Sequence, residues 1–177
     1  KLRVTVFTPV DVLDPEGRVE LQGLSRNVSA SGLLASLPRH IPVGGRFSLG
    51  FSFPGVRVPL QCRAECLRCG EEYALARQVP AFLTAFNFLD LEPGLAAQLE
   101  SAVLATARSV VAFLGDFEVF AGFPSAVLLE LAGAFRLLRL RERESCPPDW
   151  DLSSSLILVR SGLVKLFRPG FHQGREL

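Results

Sequence analysis

The stretch LSRNVSASGLLASL, residues 24–37, is the part of this 177-residue chain that decides its fold. Two apolar, strand-like runs flank the polar segment Asn27-Val28-Ser29-Ala30-Ser31-Gly32, whose skeleton is N-x-S-x-x-G. Asn, Ser and Gly are common in turns, because Asn and Ser bond to nearby backbone and Gly accepts unusual dihedral angles. The simplest interpretation of this segment is a polar turn that joins two antiparallel strands.

Short alternating runs on both sides of this turn predict further strands. Valines recur at even steps over residues 4–10, and large apolar residues alternate with small or polar ones over residues 46–53. Such alternation is typical of a half-buried strand. Gly44-Gly45 and Pro54-Gly55 supply turns around the second run, and residues 73–91 contain two more runs around Pro80. Several short strands at this spacing predict a small antiparallel β-barrel or sandwich.

The hydrophobic period changes from strand to helix near residue 93. Pro93 is placed at a helix start and Gly115 at a helix end, and apolar residues between them recur at helical spacing. We expect an amphipathic helix that closes the barrel. A short helix is predicted from Ser125, and two strands joined at Ser161-Gly162 are predicted over residues 155–168. The chain is therefore predicted to be mainly β, with a barrel domain at 1–112 and a short α+β module at 113–177.

Composition excludes several classes of function. Nineteen Lys and Arg against eighteen Asp and Glu give a net charge of +1, which argues against a broad nucleic-acid-binding surface. No apolar run reaches the ~18–20 residues that span a bilayer, so no membrane span is expected. The two histidines, His40 and His172, have no companion at metal-ligand spacing, and no nucleophile elbow or phosphate-binding loop is present. We expect neither an enzyme nor a bound metal or cofactor.

Three of the four cysteines, Cys62, Cys66 and Cys69, form a C-x3-C-x2-C pattern. This spacing is similar to the iron–sulfur signature of radical-SAM enzymes, in which a loop brings three thiolates to one cluster. The surrounding residues alternate instead, and Gly70-Glu71-Glu72 reads as a turn, which predicts a hairpin. On a regular strand Cys62 and Cys66 share one face and Cys69 points to the other. We therefore expect small buried side chains and reduced thiols, including Cys146, in a cytoplasmic protein.

Residues 1–112 resemble PilZ domains, small bacterial barrels that sense the second messenger cyclic di-GMP. The second motif of that family, [D/N]-x-S-x-x-G, is matched by Asn27, Ser29 and Gly32. Arg3 stands where the second arginine of the family's R-x-x-x-R motif lies, and the first arginine would precede residue 1. The segment AFNFLDL resembles the family's late strand, although Ala85 replaces the glycine that often precedes its phenylalanine.

The resemblance implies a cyclic di-GMP site formed by Arg3, Asn27, Ser29 and Gly32, with Arg26 as a further candidate. An arginine fork can bond a phosphate or the O6/N7 edge of guanine bidentately. Asn27 offers a donor and an acceptor, Ser29 a hydroxyl, and Gly32 a backbone that other groups can approach closely. In an extended segment the side chain of Arg26 would point away from that of Asn27, so a solvated edge residue is the alternative.

Residues 113–177 resemble the first half of a cyclic-nucleotide-binding domain, through the segment SLILVRSGLVKLF. The phosphate-binding part of that family would lie beyond Leu177, so no residue is assigned from it. The alternative is a helix and hairpin that pack on the barrel or on a partner, and open strand edges there would favour a homodimer. The two resemblances together imply a cytoplasmic cyclic di-GMP effector that signals to an unidentified protein partner or to its own second module. The rival hypothesis is a PilZ-like adaptor that binds no nucleotide.

Overall fold

The computed structural model describes residues 2–72, 81–135, 141–142, 144 and 156–164. The strands within these ranges are β1 Arg3–Val4, β2 Pro9–Leu13, β3 Val19–Ser29, β4 Gly32–Leu37, β5 Arg46–Phe51, β6 Leu60–Glu72 and β7 Ala81–Phe88. The helices are α1 Pro93–Gly115 and α2 Ser125–Ala132, with a 3-10 turn, Glu118–Phe120, between them.

Six of the strands form a closed antiparallel barrel. Their order is β3-β2-β5-β6-β7-β4, and β4 pairs back to β3 to close the ring. The seventh strand, β1, lies beside the end of β3, where Arg3 pairs with Ser29 and Val4 with Val28. The predicted mainly β fold, a small antiparallel barrel followed by helices, is confirmed.

The barrel and the helix that follows it share one hydrophobic core. Strand residues such as Val10, Leu49 and Leu60 are fully buried, and α1 adds Leu99 and Val103 to the same cluster. Alternating strand residues and helical spacing each place one apolar face inward, as the sequence patterns predict. Within the described residues, α1 alone has the length and mean hydropathy, 1.2, of a membrane-crossing helix, a test that core helices of soluble proteins also pass.

Glutamate caps the start of this closing helix. The carboxylate of Glu92 accepts hydrogen bonds of 2.9 Å from the amides of Gly94 and Leu95, which would otherwise have no partner in the first turn. These two bonds hold the pKa of Glu92 below its usual 4.5. The predicted helix start at Pro93 and end at Gly115 are both confirmed.

The register of the barrel shifts at three places, one of them between Val12 and Leu13, where β2 pairs with β3. The other two lie in β3 and β6, and at each of them one extra residue forms a β-bulge. In β3 the register shifts between Ser25 and Asn27, and in β6 it shifts between Cys66 and Arg68. A bulge reverses the inward and outward alternation of every residue that follows it. After the first bulge Asn27 is partly exposed and Val28 is buried; after the second, Arg68 is exposed.

The bulge in β6 also determines where the cysteines lie. Cys62 and Cys66 are buried, as predicted, but the prediction that Cys69 faces the opposite side is wrong, because the bulge turns it back toward the core. The Cys69 sulfur lies 3.2 Å from the hydroxyl of buried Thr84. Burial, aided by the Asp90 carboxylate, raises the pKa of Cys62 to about 12. The described residues hold no group of three or more metal-ligating side chains.

Two sequence predictions around the strand connections fail. The residues Gly70-Glu71-Glu72 are not a turn, since β6 continues through them and pairs with residues 81–83 of β7. No strand is present in residues 156–164, although Gly162 has the positive φ, 88°, that suits the predicted turn. The rest of the predicted pair at 155–168, and Cys146, lie outside the described residues.

The predicted division near residue 113 falls inside a helix, since α1 runs on to Gly115. The short helix predicted from Ser125 is confirmed as α2. Its residue Ala132 is buried in the barrel cluster, while Leu128 packs with Leu114 and Phe120 in a second small cluster. The helical part of the second module therefore packs on the barrel. Its resemblance to a cyclic-nucleotide-binding domain stays a prediction.

Candidate functional site

A cavity of about 350 Å³ lies where β1, β3, β4, β7 and β6 run side by side. Four of the five residues that the sequence analysis assigned to the site, Arg3, Asn27, Ser29 and Gly32, line it. Arg26 is not among the lining residues. Its guanidinium lies 5.6 Å from the centre of the Phe7 ring, a cation–π distance.

Strand pairing explains why these four residues meet. Arg3 on β1 is opposite Ser29 on β3, Ser29 is opposite Gly32 on β4, and Gly32 is opposite Asn87 on β7. These residues form one row across four strands, which we call the turn row. The turn row contains three residues of the predicted binding set, so antiparallel pairing alone brings them together.

A second row runs beside the turn row, two residues farther along the strands. Asn27 on β3 is opposite Leu34 on β4, Leu34 is opposite Ala85 on β7, and Ala85 is opposite Arg68 on β6. We call these four residues the bulge row, because its two end members follow the two bulges. All four line the cavity, with polar groups at both ends and an apolar floor between them.

Ser29 fixes the shape of the turn as well as lining the cavity. Its hydroxyl donates to the carbonyl of Gly32 at 3.1 Å and accepts from the amide of Ser31 at 3.4 Å. The side chain is buried, with 5% of its surface exposed. A serine hydroxyl has one donor hydrogen. In this structure that donor is bonded inside the turn, so the oxygen's remaining acceptor capacity is what Ser29 offers to a ligand.

Gly32 is required by the approach of a neighbouring strand. A Cβ atom at this position would lie 2.2 Å from the carbonyl oxygen of Phe86 on β7. Its φ is not in the left-handed region, so space rather than backbone conformation excludes other residues. A close approach at Gly32 was expected from the sequence, and the group that approaches is the backbone of β7.

The charge of the cavity suits an anionic ligand. Its lining includes two arginines, Arg3 and Arg68, and no acidic residue. Across the described part of the chain, no Asp or Glu forms an ion pair with either guanidinium. Both arginines are exposed at the mouth of the cavity. An arginine with no carboxylate partner keeps its whole fork of donors for a phosphate or a guanine edge.

Three polar residues that line the cavity were not assigned to it from the sequence: Ser31, Arg68 and Asn87. Asn87 lies two residues after Ala85 on a regular strand, so alternation could have placed both on one face. Arg68 gave no such signal, because without the bulge strict alternation places it on the inner face with Cys66.

The end of α2 packs against the strand that carries Arg3. The Thr5 hydroxyl donates to the carbonyl of Gly133 at 3.0 Å, across 128 residues of sequence. A Cβ atom at Gly133 would lie 2.8 Å from the carbonyl oxygen of Arg3. The backbone of a site residue is therefore in direct contact with the helical part of the second module.

Comparison with known proteins agrees with this architecture. The sequence profile of the PilZ domain family matches residues 2–105, more than half of the chain. The chain therefore belongs to the PilZ domain family. Among curated proteins, the sequence comparison finds no match.

Solved structures similar to this chain are also PilZ proteins. The motility inhibitor MotI (DgrA) of Bacillus subtilis is similar with a TM-score of 0.51 and 16% identity, over 61% of this chain and 50% of that one. The PilZ domain of YcgR from Escherichia coli, solved with c-di-GMP, has a TM-score of 0.49 and 16% identity, over 65% of this chain and 95% of that domain. The chain spans about half the length of MotI, and at such identities these likenesses concern the fold alone.

Proposed function

We propose that this protein is a cytoplasmic effector that binds cyclic di-GMP and passes the binding signal to its second module or to a partner protein. PilZ proteins are generally cyclic di-GMP receptors without enzymatic activity, so family membership supports this kind of function. The observation that carries the proposal is the cavity in which Arg3, Asn27, Ser29 and Gly32 meet.

The chemistry of the cavity suits the two parts of this ligand. The Arg3 guanidinium takes a phosphate or a guanine edge bidentately, and it is free of carboxylates among the described residues. The Asn27 amide supplies both a donor and an acceptor to a base edge. The apolar floor of Leu34 and Ala85 gives a flat purine ring a surface to lie on. Cyclic di-GMP carries two phosphates and two guanines. Its phosphates and guanine edges suit the Arg3 guanidinium and the Asn27 amide, and its guanine rings suit the apolar floor.

The contact between β1 and α2 supports the transmission step. A ligand that holds the Arg3 side chain also fixes the backbone of β1, and the Arg3 carbonyl and the Thr5 hydroxyl both contact Gly133 at the end of α2. Ordering of the N-terminal segment by ligand therefore stabilises the docking of α2, which is the order–disorder type of switch. The output module or partner would respond to that docking.

Isothermal titration calorimetry with cyclic di-GMP on the full chain tests the binding proposal. Asn27→Ala should weaken binding by about 1–3 kcal/mol, as expected when a paired contact to a base edge is lost. Gln61→Ala, which removes an exposed amide of β6 outside the cavity, is the matched control and should bind like the wild type. If the folded wild type produces no heat with cyclic di-GMP, the protein is an interaction adaptor without nucleotide, and the proposal is wrong.

A further inference from the structure

Arg68 faces the same cavity as Asn27 from the opposite end of the bulge row. Three strand-to-strand steps separate the two residues, which at about 4.8 Å per step is roughly 14 Å. Leu34 and Ala85 lie between them and are partly exposed. The cavity therefore has a polar group at each end of an apolar floor.

The structure places Arg68 outward by means of the bulge in β6. Cys66 is opposite Phe86 and Arg68 is opposite Ala85, so Leu67 is the extra residue. With regular pairing Arg68 would be opposite buried Thr84, the position that Cys69 occupies. One inserted residue thus moves a guanidinium from the core side of the barrel to the cavity, which is the kind of re-aiming that bulges near functional sites provide.

The surroundings of Arg68 leave its guanidinium available to a ligand. The side chain is exposed, and within the described residues no carboxylate forms an ion pair with it. Arg63, on the same strand, differs in this respect, because Asp90 holds it through an ion pair of 2.5 Å. Leu67 is also 57% exposed and lines the cavity beside Arg68.

From this placement we infer that Arg68 binds the second guanine of cyclic di-GMP, at the end of the cavity away from Asn27. The inference rests on the proposed function and extends it to a residue outside the family motifs matched in this sequence. The two guanines of the messenger lie at opposite ends of its sugar–phosphate ring, as Asn27 and Arg68 lie at opposite ends of the floor. The Arg68 fork donates two hydrogen bonds to the O6 and N7 acceptors of the base.

Calorimetric titration of the full chain with cyclic di-GMP tests this assignment. Arg68→Ala should weaken the affinity about tenfold or more, because a bidentate contact is lost. Arg68→Lys should weaken it comparably, since an ammonium keeps the charge but not the planar fork. The control is Arg46→Ala, which removes an exposed strand arginine that does not line the cavity and should leave the affinity unchanged. Because Arg68 is exposed, all three variants should keep the wild-type circular dichroism spectrum.

The outcomes separate this inference from the proposed function. Wild-type affinity in Arg68→Ala would overturn the inference and leave the proposed function standing. Wild-type affinity in Arg68→Lys alone would mean that a point charge on phosphate suffices, which also overturns the guanine assignment. An equal loss of affinity in Arg46→Ala would show that the net charge of the protein, rather than a contact from Arg68, determines the affinity, and it would overturn the inference. If the wild type itself does not bind, the proposed function fails and the inference fails with it.

Discussion

Replacing Gly32 with alanine tests whether this glycine is present to let β4 and β7 pair. The added Cβ atom would lie 2.2 Å from the Phe86 carbonyl oxygen, whereas ordinary contact begins at 3.4 Å. The two strands would have to separate by about 1.2 Å, the difference between these distances. The three atoms nearest to the added Cβ all belong to the backbone of β7, so no side chain can rotate away to make room.

The energetic cost of Gly32→Ala follows from two effects. Overpacking a closely packed site costs about 1–3 kcal/mol. Separating the strands also weakens neighbouring ladder hydrogen bonds, such as the 2.9 Å bond from the Phe88 amide to the Ser31 carbonyl, at about 1 kcal/mol for one bond. We expect a loss of about 2–4 kcal/mol in the free energy of unfolding, the sum of these two terms.

Urea unfolding followed by far-ultraviolet circular dichroism measures this loss. With a denaturant slope of about 2 kcal/mol/M, the midpoint should fall by about 1–2 M. The matched control is Gly70→Ala on β6, a strand glycine at which a Cβ atom would meet nothing within 4 Å. That variant should stay within about 0.5 kcal/mol of the wild type. Equal midpoints for the two variants would refute the steric explanation.

Three further perturbations follow from the same structure. Deletion of Leu67 should remove the β6 bulge but leave Arg68 opposite Ala85 and Cys69 opposite Thr84, so urea unfolding followed by circular dichroism should stay cooperative; loss of the cooperative transition would contradict the register argument. Cys62, with a pKa of about 12, should be alkylated at pH 8 far more slowly in the native protein than in urea, as peptide mass spectrometry can measure. Glu92→Ala should reduce stability at pH 7, and because the folded pKa of Glu92 is lowered, the difference from wild type should shrink as the pH falls below 4.5. A difference in urea midpoint that stays constant down to pH 2 would argue against the cap.

The sequence was sufficient to predict the barrel, its closing helix and four residues, Arg3, Asn27, Ser29 and Gly32, that meet at one cavity. Alternation and turn residues identify strands such as β5, and the change to helical spacing identifies α1 from Pro93 to Gly115. Alternation, turn residues and helical spacing are local patterns, so they can be recognised in a single sequence. Arg3 was assigned from the family resemblance, and the pairing of β1 with the end of β3 places it beside the turn.

The bulges could not be predicted, because each consists of one residue that breaks an otherwise regular pattern. A residue is an insertion only relative to the strand with which its own strand pairs. The alternation along one strand contains no information about that pairing. The predicted placement of Cys69 therefore failed, and Arg68 was not recognised as a cavity residue for the same reason, since both follow Leu67. The failed turn at residues 70–72 has a similar cause: Gly and Glu are poor strand formers, but pairing with β7 overrides that preference.

The two bulges also explain why a cavity forms on the outside of a barrel. The outer wall of a small closed barrel is convex, and a convex wall offers little enclosed surface to a ligand. A bulge bends its strand and increases the local twist. Here the bulged strands β3 and β6 flank the regular pair β4 and β7, and the cavity lies over that pair. The two insertions, Arg26 and Leu67, place Asn27 and Arg68 outward and shape the margins of the space between them. Regular pairing of either strand with its extra residue retained would therefore cost the site both a side chain and part of its wall.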